Sequence, residues 1–319
     1  MPACDRAGTT LTARLPPAAA PPTIRRASRP GIGRRRILPY ALLTPAAVLL
    51  IGLFGAPFAS LFYYSVRSYS LSGASHYIGL ANFSALLRES RFEHDLVITF
   101  VYLAGVLVLS VPVAYLAAIL ITRAVKGITV LRSILIIPWI LAPVVTALLF
   151  RTLIDPVRGP LTKGASWLAG RPVYLASNAN DAMVVVIVHA AWRSLPLEML
   201  LLAASISGIP RELYEAVRID GGNSWAEHYH ITLPLTRTSL ISACIAVSVF
   251  TMQDVEGLYS LTQGGPGYGT ESAAVRLFKE AFLYYNVGGG AAIGLILVGI
   301  TVLVLVALFV FSRRVEERS

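Results

Sequence analysis

The sequence predicts an all-α integral membrane protein. Six membrane-spanning helices are expected, with a cytoplasmic helix-turn-helix between spans four and five. Three observations carry this. Charged residues make up only 14% of the 319 residues, against 55% hydrophobic, and the mean hydropathy is +0.67; a soluble domain carries nearer a quarter charged residues. The apolar residues fall in six runs, each close to the ~20 residues that cross a bilayer. The basic residues between those runs are unevenly shared between the two sides.

Residues 1–33 are rich in Pro, Ala, Thr and Arg, without apolar period, and read as a disordered cytoplasmic tail. The first run, 37–64, is too long for a signal-peptide core, and no small-residue cleavage site follows it, so it is expected to be retained. Its Pro39, Pro45 and Pro57 are tolerable in a membrane helix. The other runs cover 96–121, 134–153, 182–206, 239–255 and 291–311. Residues 34–319 thus read as one six-span domain.

Orientation follows from Lys and Arg. With the N-terminus inside, inside segments hold seventeen, among them Arg123, Lys126, Arg132, Arg211, Arg218, Arg237 and Arg318; outside segments hold nine. Both termini and the 207–238 stretch are expected in the cytoplasm. The same topology accounts for the net charge of +10 without nucleic acid. Cys4 lies in the polar tail and Cys244 in an apolar run, so no disulfide is expected, and the five scattered histidines form no metal cluster.

The stretch 207–238 is dense in charge and glycine between two apolar runs. Pro210 suits a first helical turn, with Glu212 and Glu215 where the helix dipole favours negative charge. Leu213 and Val217 share a face. Gly221 and Gly222 stop the helix. Ser224 and Glu227 have capping-box spacing for a restart, and Pro234 ends it before the next run.

Glu215-Ala216-Val217, then Asp220-Gly221, then Ile231 and Leu233-Pro234 resemble the "EAA" loop of ABC importer permeases. The departures are Val217 for a usual alanine, Gly222 for alanine, His228 for a common phenylalanine and Thr238 for a frequent proline. The resemblance implies a coupling helix, in which Glu215, Ala216, Asp220, Gly221, Ile231, Leu233 and Pro234 meet an ATPase subunit. Leu80-Ala81-Asn82-Phe83 and Leu261-Thr262-Gln263-Gly264-Gly265-Pro266 with Thr270 are similar to segments of the carbohydrate-uptake permeases, the group of the maltose and glycerol-phosphate permeases. For that group the implied partners are an ATPase dimer, a second permease, an extracytoplasmic solute-binding protein, a sugar or polyol solute and membrane lipid. After the Gly-Gly-Pro turn, Ala274, Leu277, Phe278, Ala281 and Phe282 repeat at helical spacing, with Arg276, Lys279 and Glu280 off that face; a surface helix is expected, followed by Tyr284 and Tyr285 in the aromatic belt.

No phosphate loop occurs; the stretch from Gly159 to Gly164 has neither its spacing nor its context. No bound cofactor is expected, and ATP would be used by partner subunits. Charges inside spans are expensive and usually functional or paired. Arg193 and Glu198 lie in the fourth run, Asp254 and Glu256 near the end of the fifth. Five residues apart, Arg193 and Glu198 make a poor intrahelical pair. With Gln253 and Asp254 they are the candidates for a substrate path. Trp139, Trp192 and Tyr259 are candidates to stack on a sugar, although an aromatic in a span is more often packed than liganded. The rival class is a stand-alone secondary transporter or channel with Arg193, Glu198 and Asp254 as ion sites. No nucleophile–base constellation supports an enzyme.

Overall fold

The computed structural model describes residues 32–69, 75–122 and 127–316. The expected tail, with Arg123, Lys126 and Arg318, lies outside these residues apart from Ile32 and Gly33, which are already helical. The described residues fall into two compact units, one up to Ala56 and one from Pro57 onward. The first contains α1 (Ile32–Leu50) and the π-helical turn Ile51–Gly55.

The second unit holds α2 (Ala56–Ser65) from Pro57 onward and a two-stranded antiparallel ribbon, β1 (Arg67–Ser68) and β2 (His76–Tyr77), with Arg67 opposite Tyr77. α3 (Ala81–Arg88) follows. Asn82 Nδ2 donates to the carbonyls of Ser65 (2.7 Å) and Arg67 (3.0 Å). The Leu80–Phe83 segment therefore fastens the chain leaving α2 onto α3, because otherwise unpaired carbonyls need a donor there.

α4 (Ser90–Thr122) and α8 (Ala179–Ser207) are the two long helices at the centre, and they pack on one another more extensively than any other pair. Gly105 lets them close: a Cβ there would overlap Ile187. Tyr102, Val106, Met183, Val186 and Val247 form one buried cluster of this core, and Ala114, Ala118, Met199, Leu202 and Ala243 another.

Between them lie α5 (Ile128–Ile140), α6 (Pro143–Leu153) and α7 (Pro160–Ala169). The run expected as one third span starts earlier and is broken: α5 and α6 meet at 103°. Leu141 and Ala142 are extended, both with ψ 140°; at Ala142 the cause is Pro143, which drives the residue before it out of the helical region and then starts the new helix.

After α8 come α9 (Arg211–Ile219), α10 (Ser224–Glu227), a π-helical turn (His228–Thr232) and α11 (Leu233–Leu235). α12 (Arg237–Met252) leaves this group at 62°. α13 (Glu256–Thr262), α14 (Ala273–Phe278), a π-helical turn (Lys279–Leu283) and α15 (Val287–Glu316) complete the chain. By length and hydropathy four described helices can cross a membrane, or six spans if each bent pair counts as one.

The α14 segment corrects one expectation. Arg276 and Lys279 are buried, whereas Phe282 is exposed. The cause is a set of acids that the sequence does not place. Arg276 reaches Glu89 at 2.6 Å and Asp95 at 3.0 Å, while Lys279 and Arg91 both bind Glu271. Burial opposes the Arg276 charge, yet Glu89 and Asp95 outweigh it and hold the guanidinium above its ordinary value. Arg276→Met would strand Asp95, which is fully buried. A loss of roughly 3–5 kcal/mol is expected, seen as a lower thermal midpoint of the solubilised transporter. An unchanged midpoint would show that the cluster is dispensable.

Candidate functional site

Two places gather the residues that the sequence singles out. The first is the segment from α9 to α11. α8 ends at Ser207, and Pro210 is the residue before α9 and not its first helical residue. The stop of α9 is a Schellman arrangement: Gly222 N–H donates to the Val217 carbonyl (2.8 Å) and Gly221 N–H to the Arg218 carbonyl (3.1 Å). Gly221 has φ +81°, with open space around it, so its freedom from strain and not its size is what the turn needs.

The restart differs from the expected capping box. Asn223, not Ser224, caps α10, its Oδ1 accepting from Trp225 N–H (3.1 Å) and Ala226 N–H (3.0 Å). Glu227 turns instead to Arg218, whose Nε donates to it at 2.5 Å, and this carboxylate raises the Arg218 guanidinium above its ordinary value. A second strap joins Tyr214 Oη and Thr232 Oγ1 at 3.1 Å. The two short helices are therefore held as one body.

That body is rooted on one side and open on the other. Ile231 is buried, and Leu233 packs against the cluster containing Met199 and Ala243. His228 contacts the ring of Tyr115 on α4 at 5.4 Å, so the departure from phenylalanine keeps an aromatic contact. Pro234 lies within α11, and the chain turns at Thr236. Glu215, Ala216, Asp220 and Gly221 are exposed. Beside them stand Ile219, Trp225 and Tyr229, 85%, 70% and 61% exposed. The sequence reading passed over these three; large apolar residues in a charged loop were the available signal.

The second place is a cavity of about 610 Å³ between the α5–α6 bend, α8 and the α12–α13 junction. Trp139, Arg193, Ser194, Phe250, Gln253, Asp254 and Glu256 are on its wall. Arg193 Nη2 lies 3.5 Å from Asp254 Oδ2. The same oxygen accepts from Tyr102 Oη at 2.8 Å, and Oδ1 accepts from Gly257 N–H at 3.0 Å. A Cβ on Gly257 would press on that carboxylate at 2.8 Å. Asp254 is thus a tie between α4, α8 and α13 as well as part of the wall.

Of the path candidates, Arg193, Gln253 and Asp254 meet at the cavity and Glu198 does not. Glu198 is fully buried and takes a hydrogen bond from Ser194 Oγ at 2.8 Å, with the Ser110 hydroxyl of α4 also facing it. Trp192 packs on Phe150 and Tyr259 on Phe278, so of the three candidate aromatics Trp139 alone reaches the wall. Phe250, Ser194 and Glu256 were missed as wall residues, since nothing in the pattern shows which helix faces meet.

Residues 110–318 match the family of binding-protein-dependent transport system inner membrane components. The chain belongs to that family. It is a multi-pass inner membrane permease component of an importer, and the resemblance read from the sequence is borne out. The sn-glycerol-3-phosphate transport system permease protein UgpA of Rhizobium meliloti is 32% identical over 274 residues, 84% of this chain and 92% of the relative. Its counterpart in Escherichia coli O157:H7 is 28% identical over 298 residues, 91% and 98% of the two chains. The fold is shared with a bacterial ABC transporter that imports the acidic polysaccharide alginate (TM-score 0.75, 18% identity, 88% of this chain and 96% of that one) and with the alginate transporter bound to its pentasaccharide-loaded periplasmic protein (TM-score 0.77, 19%, the same coverage).

The geometry separates the two carboxylates. Asp254→Asn removes the charge facing Arg193 at the cavity wall, and a charge-assisted hydrogen bond is worth about 1.5–3 kcal/mol. Uptake is expected to fall by roughly tenfold or more at normal membrane abundance. Glu198→Gln lies off the wall and should leave uptake near wild type. Equal effects of the two variants would contradict this assignment.

Proposed function

We propose that the chain is one of two permease subunits of an ATP-driven importer for a sugar or related polyol, glycerol phosphate included. A solute-binding protein delivers the solute from outside, and an ATPase dimer on the cytoplasmic side drives the cycle. In this reading the bent pairs count as spans, giving six, with both termini cytoplasmic. The chain binds no cofactor, and ATP is hydrolysed by the partner subunits.

One observation carries the reading: the α9–α11 body is stapled internally, anchored by Ile231 and Leu233, and presents an open outer face. That is the build of a lever and not of a loose connection. Glu215 and Ala216 stand exposed on that face, with Ile219 and Trp225 near them as apolar contacts for an ATPase cleft. Force applied there passes into α12, whose sixteen residues run about 24 Å. Gln253 and Asp254 follow directly at its far end. A rigid helix therefore links the outer face to the cavity wall.

The wall suits a polyhydroxylated solute. Gln253, Ser194 and Glu256 offer hydrogen-bonding groups, and Trp139 and Phe250, whose rings meet edge-on at 5.6 Å, offer apolar area. Relatives named for sn-glycerol-3-phosphate and a fold shared with alginate importers support this class. The rival ion-coupled reading loses ground because Arg193 and Asp254 engage one another.

Two measurements test this. In intact cells, an impermeant thiol reagent should label a cysteine placed at Gly267 and not one placed at Ser224; the reverse result would invert the orientation. Gly221→Val forces a β-branched residue into the left-handed region, which costs about 1–2 kcal/mol or more. The variant is expected in the membrane at normal abundance, yet without uptake and without the ATP hydrolysis that loaded binding protein stimulates. If it is abundant and both activities stay at wild-type level, α9–α11 is not the coupling element.

A further inference from the structure

The segment joining α6 to α8 carries a helix with its polarity turned inside out. On α7, Thr162 and Ser166 face the protein. Thr162 Oγ1 donates to the Ile154 carbonyl at 2.9 Å. Ser166 Oγ donates to the Thr162 carbonyl at 2.8 Å and accepts from Val173 N–H at 2.9 Å. The apolar residues lie opposite: Leu161 is exposed, and Trp167 and Leu168 are 82% and 80% exposed. A helix on a water-soluble protein shows the reverse arrangement.

The helix is held firmly in this pose. Asp155 Oδ1 accepts from the N–H groups of Val157 (2.9 Å) and Arg158 (2.7 Å), which folds the turn before α7 and draws the carboxyl below its usual value. At Gly159 a Cβ would meet the Asp155 nitrogen and the Leu153 carbonyl at 2.5 Å, so the chain doubles back there only as glycine. The outward apolar face is therefore not a frayed end that could roll over.

Charge identifies what covers it. Between residues 154 and 178 the acidic side chains amount to Asp155, already engaged in the turn, whereas Arg158, Lys163 and Arg171 are basic and exposed. The segment also joins membrane-embedded helices at both ends, which places it at the boundary of the bilayer. An apolar face with a tryptophan and a cationic rim matches acyl chains beneath anionic headgroups.

We propose that α7 is an interfacial anchor: Leu161, Trp167 and Leu168 enter the bilayer, and Arg158, Lys163 and Arg171 engage anionic phospholipid headgroups. The anchor restrains the adjoining α6, whose N-terminal end forms part of the bend at the cavity. It rests on the membrane placement of the bundle and not on the coupling role of α9–α11, so either can fail alone.

The test uses the full chain with its partner subunits in nanodiscs of phosphatidylcholine with or without phosphatidylglycerol. Cys4 and Cys244 are replaced by serine, and a nitroxide is attached at Trp167→Cys or Leu168→Cys; both sites are exposed, and retained uptake by cells carrying the same variants reports intact folding. Collisions with oxygen should exceed those with a water-soluble nickel chelate at both sites. Lys163→Glu with Arg171→Glu should reduce that excess in discs containing phosphatidylglycerol and not in phosphatidylcholine alone. Dominant nickel collisions would mean that α7 faces water. Protection from both reagents would mean that a protein subunit or the binding protein covers it. Either result overturns the proposal, and an insensitive double variant overturns its headgroup half.

Discussion

The carboxylate of Asp254 is the constraint on which the membrane-embedded part of this protein depends. It lies where α12 ends, nearly removed from solvent, and gathers Tyr102 from α4, Arg193 from α8 and the Gly257 amide of α13. A buried charge is tolerable only when paired and hydrogen-bonded, and here each partner comes from a different helix. The cost of burying the group therefore becomes a geometric requirement: three helices must arrive together or the charge is stranded. Gly257 shows how closely the site is fitted, since a single methyl would press on the carboxylate. The cavity wall and this tie share the same side chain, so any rearrangement of the wall must be transmitted to α4 and α8.

That coupling has a second end. The α9–α11 body reaches the core through Ile231, Leu233 and the His228–Tyr115 contact, and the chain then turns at Thr236 into α12. Thr236 ties the bend back onto the preceding turn: both its N–H (3.1 Å) and its Oγ1 (2.7 Å) donate to the Thr232 carbonyl. The lever and the tie are thus consecutive along the chain. No long-range chain of side chains has to be invoked between them, because one helix spans the distance.

What was legible in the sequence was local. The apolar runs, the positive φ at Gly221 and the spacing of the loop each depend on residues close in sequence, and each announces itself by residue type. The misses were matters of partners far along the chain. Arg276 looks like a surface cation until Glu89 and Asp95, more than 180 residues earlier, are brought against it. Glu198 looks like a path residue until the packing of α4 on α8 closes over it. The α5–α6 break was partly visible in Pro143, but hydropathy averages across a bend as readily as along a straight helix. The cap at Asn223 lost to Ser224 in the sequence because both are good caps; Glu227 decided the matter by turning to Arg218.

The departures from the family pattern at Val217 and Gly222 can now be read together. They meet in space at the end of α9. A Cβ on Gly222 would overlap the Val217 side chain, approach the Val217 carbonyl at 2.8 Å and lie 3.2 Å from the Ala226 Cβ. The enlarged residue at 217 occupies the room that an alanine at 222 would need. The same valine carbonyl accepts the Gly222 N–H that closes the helix, so the fit cannot be relaxed by moving the turn outward without losing that bond. Val217 together with an alanine at 222 would strain the turn, and Gly222 leaves it intact. The loop keeps its geometry here by exchanging volume between two positions, and a residue-by-residue comparison with the family pattern would count as two defects what is one accommodation.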